Sequence, residues 1–576
     1  MFTLGLNAAF HDSAACLVGD GHVIAAAEEE RFTRIKHGKR PLPFTTWELP
    51  FHALDYCLKE AGIELADVDQ VVYSFNPKLV LGKLDGAQTI SLPLEPSAHE
   101  TAADWLSPWE PLALSYVVNA ERQLIDGVPF HLRRRFRSAK SRRHWQWRFI
   151  DHHLAHEASA FLAAPFEETA VLTLDGRGER ASTSYGYFSD NAYRRIGQVC
   201  VPHSLGLLYE DVTRHLGFLH SSDEYKVMAL ASYGKPSLVA RFREMVQLNG
   251  GGQYTIQPLD LAEQLGPARE RGAEFSQHHF NIARSLQAVL EETVIALARW
   301  LRAQTGSENL CMAGGVALNC VLNARLRDAQ VFRRVWVQPA AGDAGTAVGA
   351  ALWSDWRARG GDRRYRMDHV FLGPEYSETE IRTLLEYSKL PYRRTTDVAE
   401  ETAQVLAGDK IVGWFQGRME FGPRALGGRS ILASPLTAEI QQRLNTIKDR
   451  EDFRPVAPVV LEEEAGKWFA GAGVSPFMLF VFDVDPERAA RIPGVCHVDG
   501  TARIQTVNAD QHPLYYGLIK AFQRRTGVPV LVNTSFNTQG EPIVCTPQDA
   551  VRCFMTSPLD ALVIGPFVLE KPTHAA

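Results

Sequence analysis

The fold is decided by the stretch AVLTLDGRGERASTSYGYF, residues 170–188. Two runs suited to strands flank a polar turn with two glycines, which predicts a pair of β-strands. The N-terminus repeats this pattern, because TLGLNAA (3–9) and AACLV (14–18) flank the polar turn FHDS (10–13), and VIAAA (23–27) continues it. Helices and further strands follow in both places. We therefore expect duplicated α/β halves, each with a polar turn, that close on a nucleotide.

Working outward, the chain alternates between predicted helices and strands. Residues 52–62 predict a helix, VVYSF (71–75) a buried strand, and MAGGVALN (312–319) a turn between a strand and a helix. The polar, glycine-bearing stretch 354–374 predicts a boundary. Segments at 400–417, 509–537 and 560–570 then predict a separate α+β unit. We expect two domains, at 1–365 and 370–576.

Composition excludes several classes of protein. The 576 residues are 45% hydrophobic and 22% charged, which is typical of globular domains, and no apolar run approaches the ~18 residues of a membrane span. The eight cysteines are scattered without a CxxC pair, and the N-terminus lacks the pattern of a secretory signal. We expect a cytoplasmic protein with free thiols and no membrane partner.

A basic run, HLRRRFRSAKSRRHWQWRF (131–149), interrupts this acidic chain of net charge −6. One interpretation is a contact surface for RNA or phosphate. The other, which we favour, is a solvated helix with Trp145 and Trp147 docked inward. The negative net charge likewise argues against nucleic acid as a partner.

The sequence DHHLAHE (151–157) predicts a metal site. On a helix, His152 and His156 lie one turn apart on the same face, whereas His153 points about 100° away. A pairing of His153 with His156 remains an alternative. Asp343, in a turn of small residues at a helix start, is the leading candidate for a third ligand. Two histidines and one aspartate suit Fe(II), Zn or Mn.

Two glycine-rich turns predict contacts with a phosphate or nucleotide, because glycine lets the backbone approach an anion closely. Asp175 in the first turn is also suited to hold a cation or a water. The expected nucleotide-binding residues of the first domain are Asp175, Gly176, Gly178, Gly314, Gly315 and Asn319.

Taken together, these motifs resemble those of the NodU/CmcH carbamoyltransferase family over nearly the whole chain. The stretches that carry the resemblance are NAAFHDSAA (7–15), EEERFTRIKHGKR (28–40), DHHLAHEASAF (151–161), LDGRGE (174–179), DEYKVMALASYG (223–234), MAGGVALNCVLN (312–323) and QPAAGDAGTAVGAAL (338–352). The resemblance implies an α/β, actin-like ATP-binding domain of the Kae1/TsaD type, followed by an α+β domain of the YrdC/Sua5 type. It also implies that His152, His156 and Asp343 bind a divalent metal, with Fe(II) favoured.

The second domain carries an unusual density of cations between glycine turns, which suits substrates that bear phosphate. These cations are Arg418, Arg424, Arg429, Lys448, Arg450, Arg454 and Arg503. Lys448-Asp449-Arg450 and Ser535-Phe536-Asn537 resemble the KxR and SxN elements of the YrdC fold. The expected binding residues for carbamoyl phosphate and ATP are Arg418, Arg424, Lys448, Arg454, Arg503, Ser535 and Asn537.

The resemblance implies a reaction in two stages. Carbamoyl phosphate and ATP, with Mg as its counterion, form carbamoyl adenylate, and the first domain then transfers the carbamoyl group to a hydroxyl of an antibiotic-type natural product, an aminoglycoside being favoured. An acceptor hydroxyl needs a base, and His11 is the candidate. Asp12, Lys36 and Asp223 are expected to act beside it by positioning the acceptor.

Two other functions remain in competition. A tRNA-modifying threonylcarbamoyl enzyme shares both domain folds, but such relatives carry glycine and glutamate where this chain has Leu154 and Ala155. The second alternative is a regulatory ATPase on the actin-like fold. In such a protein the histidine-rich helix and the arginine-dense domain would have no evident role. Only the carbamoyltransferase hypothesis predicts phosphate release that depends on carbamoyl phosphate.

Overall fold

The computed structural model describes residues 1–38, 49–81, 114, 116–126, 145–257 and 260–571. They form two compact units, each assembled from separated stretches of chain. The first unit comprises Met1–Gly206, Gln304–Ala317 and Arg334–Met367, and the second comprises Leu207–Ala303, Leu318–Arg333 and Asp368–Ala576. The units thus interleave along the sequence, and the functional division at 1–365 and 370–576 stays a prediction.

The first unit holds ten strands and six helices among its described residues. The strands are β1 (Phe2–Asn7), β2 (Ala14–Gly19), β3 (His22–Glu28), β4 (Gln70–Tyr73), β5 (Gln146–Phe149), β6 (Thr169–Leu174), β7 (Ala181–Ser189), β8 (Ala192–Cys200), β11 (Asn309–Ala313) and β12 (Arg334–Val337). The helices are α1 (Glu30–Thr33), α2 (Phe51–Glu60), α3 (Lys78–Leu81), α4 (Ala120–Asp126), α5 (His152–Phe161) and α12 (Ala344–Ala358).

The first unit is built from one sheet topology used twice, as the repeated turns predicted. One five-stranded sheet has the order β3-β2-β1-β4-β5 and the other has the order β8-β7-β6-β11-β12. In each sheet an antiparallel meander precedes two parallel strands, because β1 pairs with β4 and β6 with β11 in parallel register. The turns that follow β1 and β6 are therefore equivalent, and both leave the carboxyl end of a parallel strand, where α/β proteins place their ligands.

Glycines bring the central helices of this unit into close contact. A Cβ atom on Gly349 of α12 would lie 1.7 Å from the carbonyl oxygen of Ala155 on α5, and one on Gly5 of β1 would lie 2.0 Å from the oxygen of Ala347. Only residues without side chains permit these approaches. This packing sets the histidines of α5 beside Asp343, the residue that precedes α12.

The C-terminal end of the basic run forms a strand where a helix was expected. Residues 131–144 lie outside the described residues, but residues 146–149 form β5, which pairs in parallel with β4. Trp145 is buried and Trp147 packs against the core of the first sheet, so both tryptophans dock inward as expected. The strand forms because alternate side chains of 146–149 face solvent and protein.

The second unit is a mixed sheet with surrounding helices. Its largest sheet has eight strands in the order β13-β22-β21-β14-β15-β20-β16-β19, with parallel and antiparallel pairs. The strands are β9 (Val246–Gly250), β10 (Gln253–Ile256), β13 (Arg393–Arg394), β14 (Val412–Phe415), β15 (Arg429–Ala433), β16 (Ala457–Leu461), β17 (Val481–Asp483), β18 (Thr501–Arg503), β19 (Gln505–Val507), β20 (Val530–Ser535), β21 (Ala561–Ile564) and β22 (Phe567–Glu570).

The helices of this unit complete its mixed α/β fold, and α6 and α10 each extend two residues into the first unit. They are α6 (Leu205–His215), α7 (Glu224–Leu230), α8 (Val239–Met245), α9 (Leu261–Leu265), α10 (Gln277–Thr305), α11 (Cys320–Asp328), α13 (Glu378–Tyr387), α14 (Val398–Ala407), α15 (Glu439–Ile447), α16 (Ala465–Trp468), α17 (Pro486–Ala489), α18 (Pro513–Thr526) and α19 (Pro547–Thr556). Across the described chain, no helix combines the length and the apolar character needed to cross a membrane.

Candidate functional site

Helix α5 presents two histidines at one point in the first unit. Asp151 caps the helix, because its side chain accepts a hydrogen bond from the Leu154 amide at 2.8 Å. One turn of helix separates His152 from His156, and their Nε2 atoms lie 3.2 Å apart. His153 faces elsewhere and its Nδ1 lies 3.0 Å from the hydroxyl of Ser184. The structure therefore joins His152 with His156 and leaves His153 out of the pair.

Two carboxylates complete what we call the four-ligand cluster: His152, His156, Asp175 and Asp343. Asp343 Oδ1 lies 3.7 Å from both Nε2 atoms, and Asp175 Oδ2 lies 3.4 Å from His152 and 3.9 Å from His156. All four ligand atoms fall within 4.8 Å of one another. Asp175 was expected among nucleotide contacts, and the structure places it in this cluster instead. The Gly315 amide binds its Oδ1 at 2.8 Å, which turns Oδ2 toward the imidazoles.

The chemistry of the cluster fits a divalent cation. His152 Nδ1 donates to the carbonyl oxygen of Ser74 at 3.2 Å, so its Nε2 is oriented as a ligand. Burial alone would lower the pKa of His152, but the carboxylates of Asp343 and Asp175 outweigh it and raise this pKa to about 10. Burial also opposes ionisation of Asp175, yet the neighbouring imidazoles hold its pKa below the ordinary value. Two nitrogens and two carboxylates suit Fe(II), Zn or Mn.

The glycine turns do not offer free amides in the way the sequence suggested. The amides of Gly178, Gly314 and Gly315 donate to Ala181, Ala341 and Asp175 respectively. Gly314 has a φ of 91°, and a Cβ there would lie 2.2 Å from the oxygen of Leu174. Gly314 and Gly315 therefore brace the end of β6 and hold Asp175.

Two predicted site residues lie in the second unit with their side chains already engaged. Asn319 caps α11 by accepting from the Leu322 amide at 2.9 Å, and its own amide donates to Gln287 at 2.8 Å. Asn319 therefore caps a helix, and its expected role in nucleotide binding stays a prediction. Asp223 accepts from the Leu219 amide at 3.2 Å and pairs with Lys226 at 3.3 Å.

The turn after β1 brings His11 and Asp12 into direct contact. Asp12 Oδ2 lies 2.8 Å from His11 Nδ1, and Asp12 Oδ1 lies 2.9 Å from Nδ1 of His37. Lys36 precedes His37 in the short 3₁₀ segment Lys36–Gly38. Sequence reasoning chose Lys36 from this motif and missed His37. His37 stands next to Lys36 in the motif EEERFTRIKHGKR (28–40), and this position could have identified it.

In the second unit, four arginines concentrate positive charge. We call them the arginine cluster: Arg424, Arg450, Arg454 and Arg503. Burial and the charge of Arg503 lower the pKa of Arg424 to about 9, and burial and Arg454 lower that of Arg450 to about 9. Among described residues no carboxylate forms an ion pair with Arg424, Arg450 or Arg503, while Arg454 has one long contact with Glu451 at 3.9 Å. Such a cluster favours an anion.

Tyr225 supports this cluster and was not singled out from the sequence. The Arg454 guanidinium lies over its ring at 4.5 Å, and Nη1 lies 3.4 Å from the tyrosine oxygen. Lys226, the next residue, binds Glu451 at 2.8 Å. The stretch 223–226 therefore holds the loop that carries Arg454. Tyr225 lies within the motif DEYKVMALASYG (223–234), but its contact with Arg454 could not be predicted because the two residues are more than 200 positions apart.

Lys448, Ser535 and Asn537 come together as predicted. Lys448 is buried at the end of α15, and its Nζ lies 3.0 Å from the Ser535 hydroxyl and 2.8 Å from Asn537 Oδ1. The Ser535 hydroxyl donates to Asn537 Oδ1 at 2.6 Å. Backbone carbonyls of both residues also lie within hydrogen-bond distance of Nζ. The group offers an ammonium, a hydroxyl and an amide at one place.

Arg418, an expected phosphate-binding residue, and Arg429, another cation noted in the sequence of this domain, both have backbone partners within the protein. Arg418 donates to the carbonyl oxygens of Leu372 at 2.9 Å and Gly373 at 3.2 Å. Arg429 is fully buried, donates to four backbone carbonyls and lies 3.6 Å over the ring of Phe415. Their guanidiniums satisfy backbone carbonyls, so part of the arginine density in the sequence serves internal hydrogen bonding, and the binding role expected of Arg418 stays a prediction.

Replacing Arg429 with methionine is expected to destabilise the second unit by about 3 kcal/mol, because buried carbonyls lose their donor. Urea denaturation of the full chain, followed by tryptophan fluorescence, measures the effect. The matched control is Arg524→Met, which removes an exposed pair with Glu400 and should cost under about 1 kcal/mol. Equal effects of the two substitutions would contradict the structural role.

Family models match both parts of the chain. One described as Carbamoyltransferase N-terminus matches residues 3–352, and one described as Carbamoyltransferase C-terminus matches residues 403–571. The nodulation protein NolNO of Sinorhizobium fredii is 38% identical over 98% of this chain and 80% of its own length. NolO of Bradyrhizobium diazoefficiens is 41% identical over 73% of this chain and 79% of its own.

Other matches carry less information about chemistry. The uncharacterized protein sll1178 of Synechocystis is 41% identical, covering 99% of this chain and 96% of its own length. Among solved structures, full-length HypF in a phosphate- and nucleotide-bound form is 13% identical, with a TM-score of 0.34, covering 62% of this chain and 55% of HypF. A TM-score this low adds no argument about fold or function.

Proposed function

This chain belongs to the carbamoyltransferase family and is a carbamoyltransferase, and from that premise we propose that it carbamoylates a hydroxyl group of a small natural product in two stages. In the first stage water hydrolyses carbamoyl phosphate to carbamate and phosphate, and a carbamate oxygen then attacks the α-phosphorus of MgATP, which forms carbamoyl adenylate and releases pyrophosphate. In the second stage the carbamoyl group passes from AMP to the acceptor. We assign the first stage to a YrdC-like second domain and the second stage to a Kae1-like, actin-like first domain.

The observation that carries the proposal is the arginine cluster. Arg424, Arg450 and Arg503 have no carboxylate partner within ion-pair distance in the part of the chain that is described. Guanidinium groups without a carboxylate partner favour the binding of a polyanion, and both carbamoyl phosphate and ATP are polyanions. Lys448 adds a buried ammonium whose neighbours are a hydroxyl and an amide. This group suits a phosphoryl oxygen beside a carbamoyl NH₂.

The four-ligand cluster supports a divalent cation in the first domain, with Fe(II) favoured and Zn or Mn as alternatives. When bound, such a cation supplies Lewis-acid stabilisation of negative charge on a substrate oxygen. The protein's own residues orient the ligand side chains. His152 is held by Ser74, and the Ser74 hydroxyl donates to Asn7 at 3.1 Å. Asn7 in turn donates to the His11 carbonyl, so one hydrogen-bonded path connects the cluster to the His11 turn.

The transfer step needs a base for the acceptor hydroxyl. The acceptor oxygen forms a bond to the carbamoyl carbon, and the bond from that carbon to the AMP phosphate oxygen breaks. The hydroxyl proton passes to Nε2 of His11, and AMP leaves as an anion. Asp12 holds Nδ1 of His11 at 2.8 Å, which leaves Nε2 as the nitrogen that accepts a proton.

An aminoglycoside hydroxyl is the acceptor that we propose first. The decisive test separates the two stages. Purified protein with MgATP and carbamoyl phosphate, and without acceptor, is expected to release pyrophosphate. Tobramycin and a chito-oligosaccharide then serve as acceptor probes, with mass increase by one carbamoyl group as the readout. Release that requires threonine and bicarbonate, but not carbamoyl phosphate, would contradict the proposal and favour tRNA modification.

A further inference from the structure

Two side chains of the turn after β1, His11 and Asp12, and one of the segment Lys36–Gly38, His37, form a group that we call the His–Asp–His cluster. Each oxygen of Asp12 faces a different imidazole, at 2.8 Å from His11 Nδ1 and 2.9 Å from His37 Nδ1. The two rings lie 5.2 Å apart, centroid to centroid, and are tilted by 32°. We propose that His37 is a positioning residue, which fixes the Asp12 carboxylate so that Asp12 fixes His11. The proposal rests on the role of His11 proposed above.

The geometry favours hydrogen bonds over a shared metal ion. A single cation gathers its ligand atoms around one point, whereas here the two nitrogens bind opposite oxygens of one carboxylate. The three ligand atoms are nonetheless close enough to admit an ion. Ion binding is therefore one of the outcomes that the test below distinguishes.

The backbone around the cluster is held in conformations that side chains rarely adopt. Asp12 has a φ of 42° and His37 a φ of 55°, both in the left-handed region. The Asn7 amide donates to the carbonyl oxygens of His11 at 2.8 Å and Asp12 at 3.1 Å. The His37 amide donates to Glu30 at 2.6 Å. Strained conformations persist where surrounding contacts over-determine them, and functional sites are where they concentrate.

Occupying both carboxylate oxygens has a chemical consequence. An aspartate with one free oxygen rotates and lets the imidazole of His11 follow it, but two donors fix the carboxylate plane. Burial alone would raise the pKa of Asp12, and the two imidazoles outweigh it and hold that pKa well below its ordinary value. Asp12 thus remains an acceptor for the Nδ1–H groups of both histidines. The ring of His11 is therefore held in one orientation, and its Nε2 points in one direction.

The positive φ of His37 allows a matched pair of substitutions. Asparagine tolerates the left-handed region and places an amide donor near the position of Nδ1, whereas glycine tolerates the same backbone and offers no donor. The full chain, labelled with ¹³C at histidine Cε1, is titrated by NMR, and the His11 signal is assigned by its loss in His11→Gln. We expect His37→Gly to move the midpoint of the His11 titration to higher pH by about one pH unit. The Asp12 carboxylate then interacts with His11 alone, and it stabilises the charged imidazolium form of His11 more strongly. His37→Asn should leave the midpoint within about 0.2 pH units of the wild type, because its amide still donates to Asp12 and keeps the carboxylate shared between two donors.

Three results would overturn the proposal. The midpoint does not move in His37→Gly, or both variants move it equally, or His37→Gly loses a bound metal ion by elemental analysis while the four-ligand cluster is intact. The same preparations are assayed for carbamoyl-phosphate-dependent pyrophosphate release, which should be unchanged in both variants. Absence of that release from the wild type contradicts the proposed function alone, since the NMR titration does not depend on turnover.

Discussion

Lys448→Ala is expected to reduce carbamoyl-phosphate-dependent pyrophosphate release by about 10²–10³-fold, the loss typical when one preorganised cationic donor is removed. Lys448 is buried and makes its closest contacts with Ser535 and Asn537. Its ammonium is the charge in that group, so the substitution leaves a hydroxyl and an amide without the field that stabilises a phosphoryl oxygen.

The stages are separated by supplying freshly prepared carbamoyl adenylate to the same variant. Transfer to an accepted probe should then proceed at close to the wild-type rate, because the proposed division gives Lys448 a role in the first stage only. Lys467→Ala is the matched control, since this exposed lysine pairs only with Glu464, at 3.1 Å, among described residues. A folded Lys448→Ala protein that adenylates normally, or that fails with supplied adenylate, refutes the division into two sites.

The second large effect is expected on metal content. His156→Ala should lower the bound transition metal from about one ion per chain to less than about one-tenth, because a ligand is lost from a set of four. His153→Ala is the control on the same helix. It removes an equally buried imidazole, but one that faces Ser184 rather than the cluster.

Elemental analysis after dialysis measures both variants, and pyrophosphate release by the second domain reports that each chain is folded. Asp175→Asn should also lose metal, since its Oδ2 faces both histidines. Metal loss in His153→Ala with retention in His156→Ala would contradict the four-ligand cluster. Equal retention in all three variants would show that these residues hold no ion.

The local elements of the first unit could be read from the chain itself. The paired strands around 170–188 and their repeat at the N-terminus appear as two sheets of the same order. Period-two and period-3.6 patterns encode such elements directly, because burial selects alternate residues on a strand and one face of a helix. The strand at 146–149 was missed, since a basic run obscures alternation that only pairing with β4 makes visible.

For the candidate sites too, some features could be predicted from the sequence and others depended on tertiary structure. The i, i+4 spacing of His152 and His156 is a property of the helix, and their meeting follows from it. Asp175 was noticed as a possible cation ligand, but its membership of the cluster depends on the Gly315 amide, 140 residues away. The glycine amides looked free in the sequence because nothing local shows which carbonyl each one will meet.

What the sequence determined by itself was therefore the strands around the two polar turns, the duplicated first unit, the spacing of the two histidines on their helix and the carbamoyltransferase family. Only the tertiary structure decided which polar groups are satisfied by partners far along the chain. It placed Arg418 and Arg429 on buried carbonyls and His37 against Asp12. The physical reason is that buried donors and acceptors must find partners, and long-range packing, rather than neighbouring sequence, supplies them.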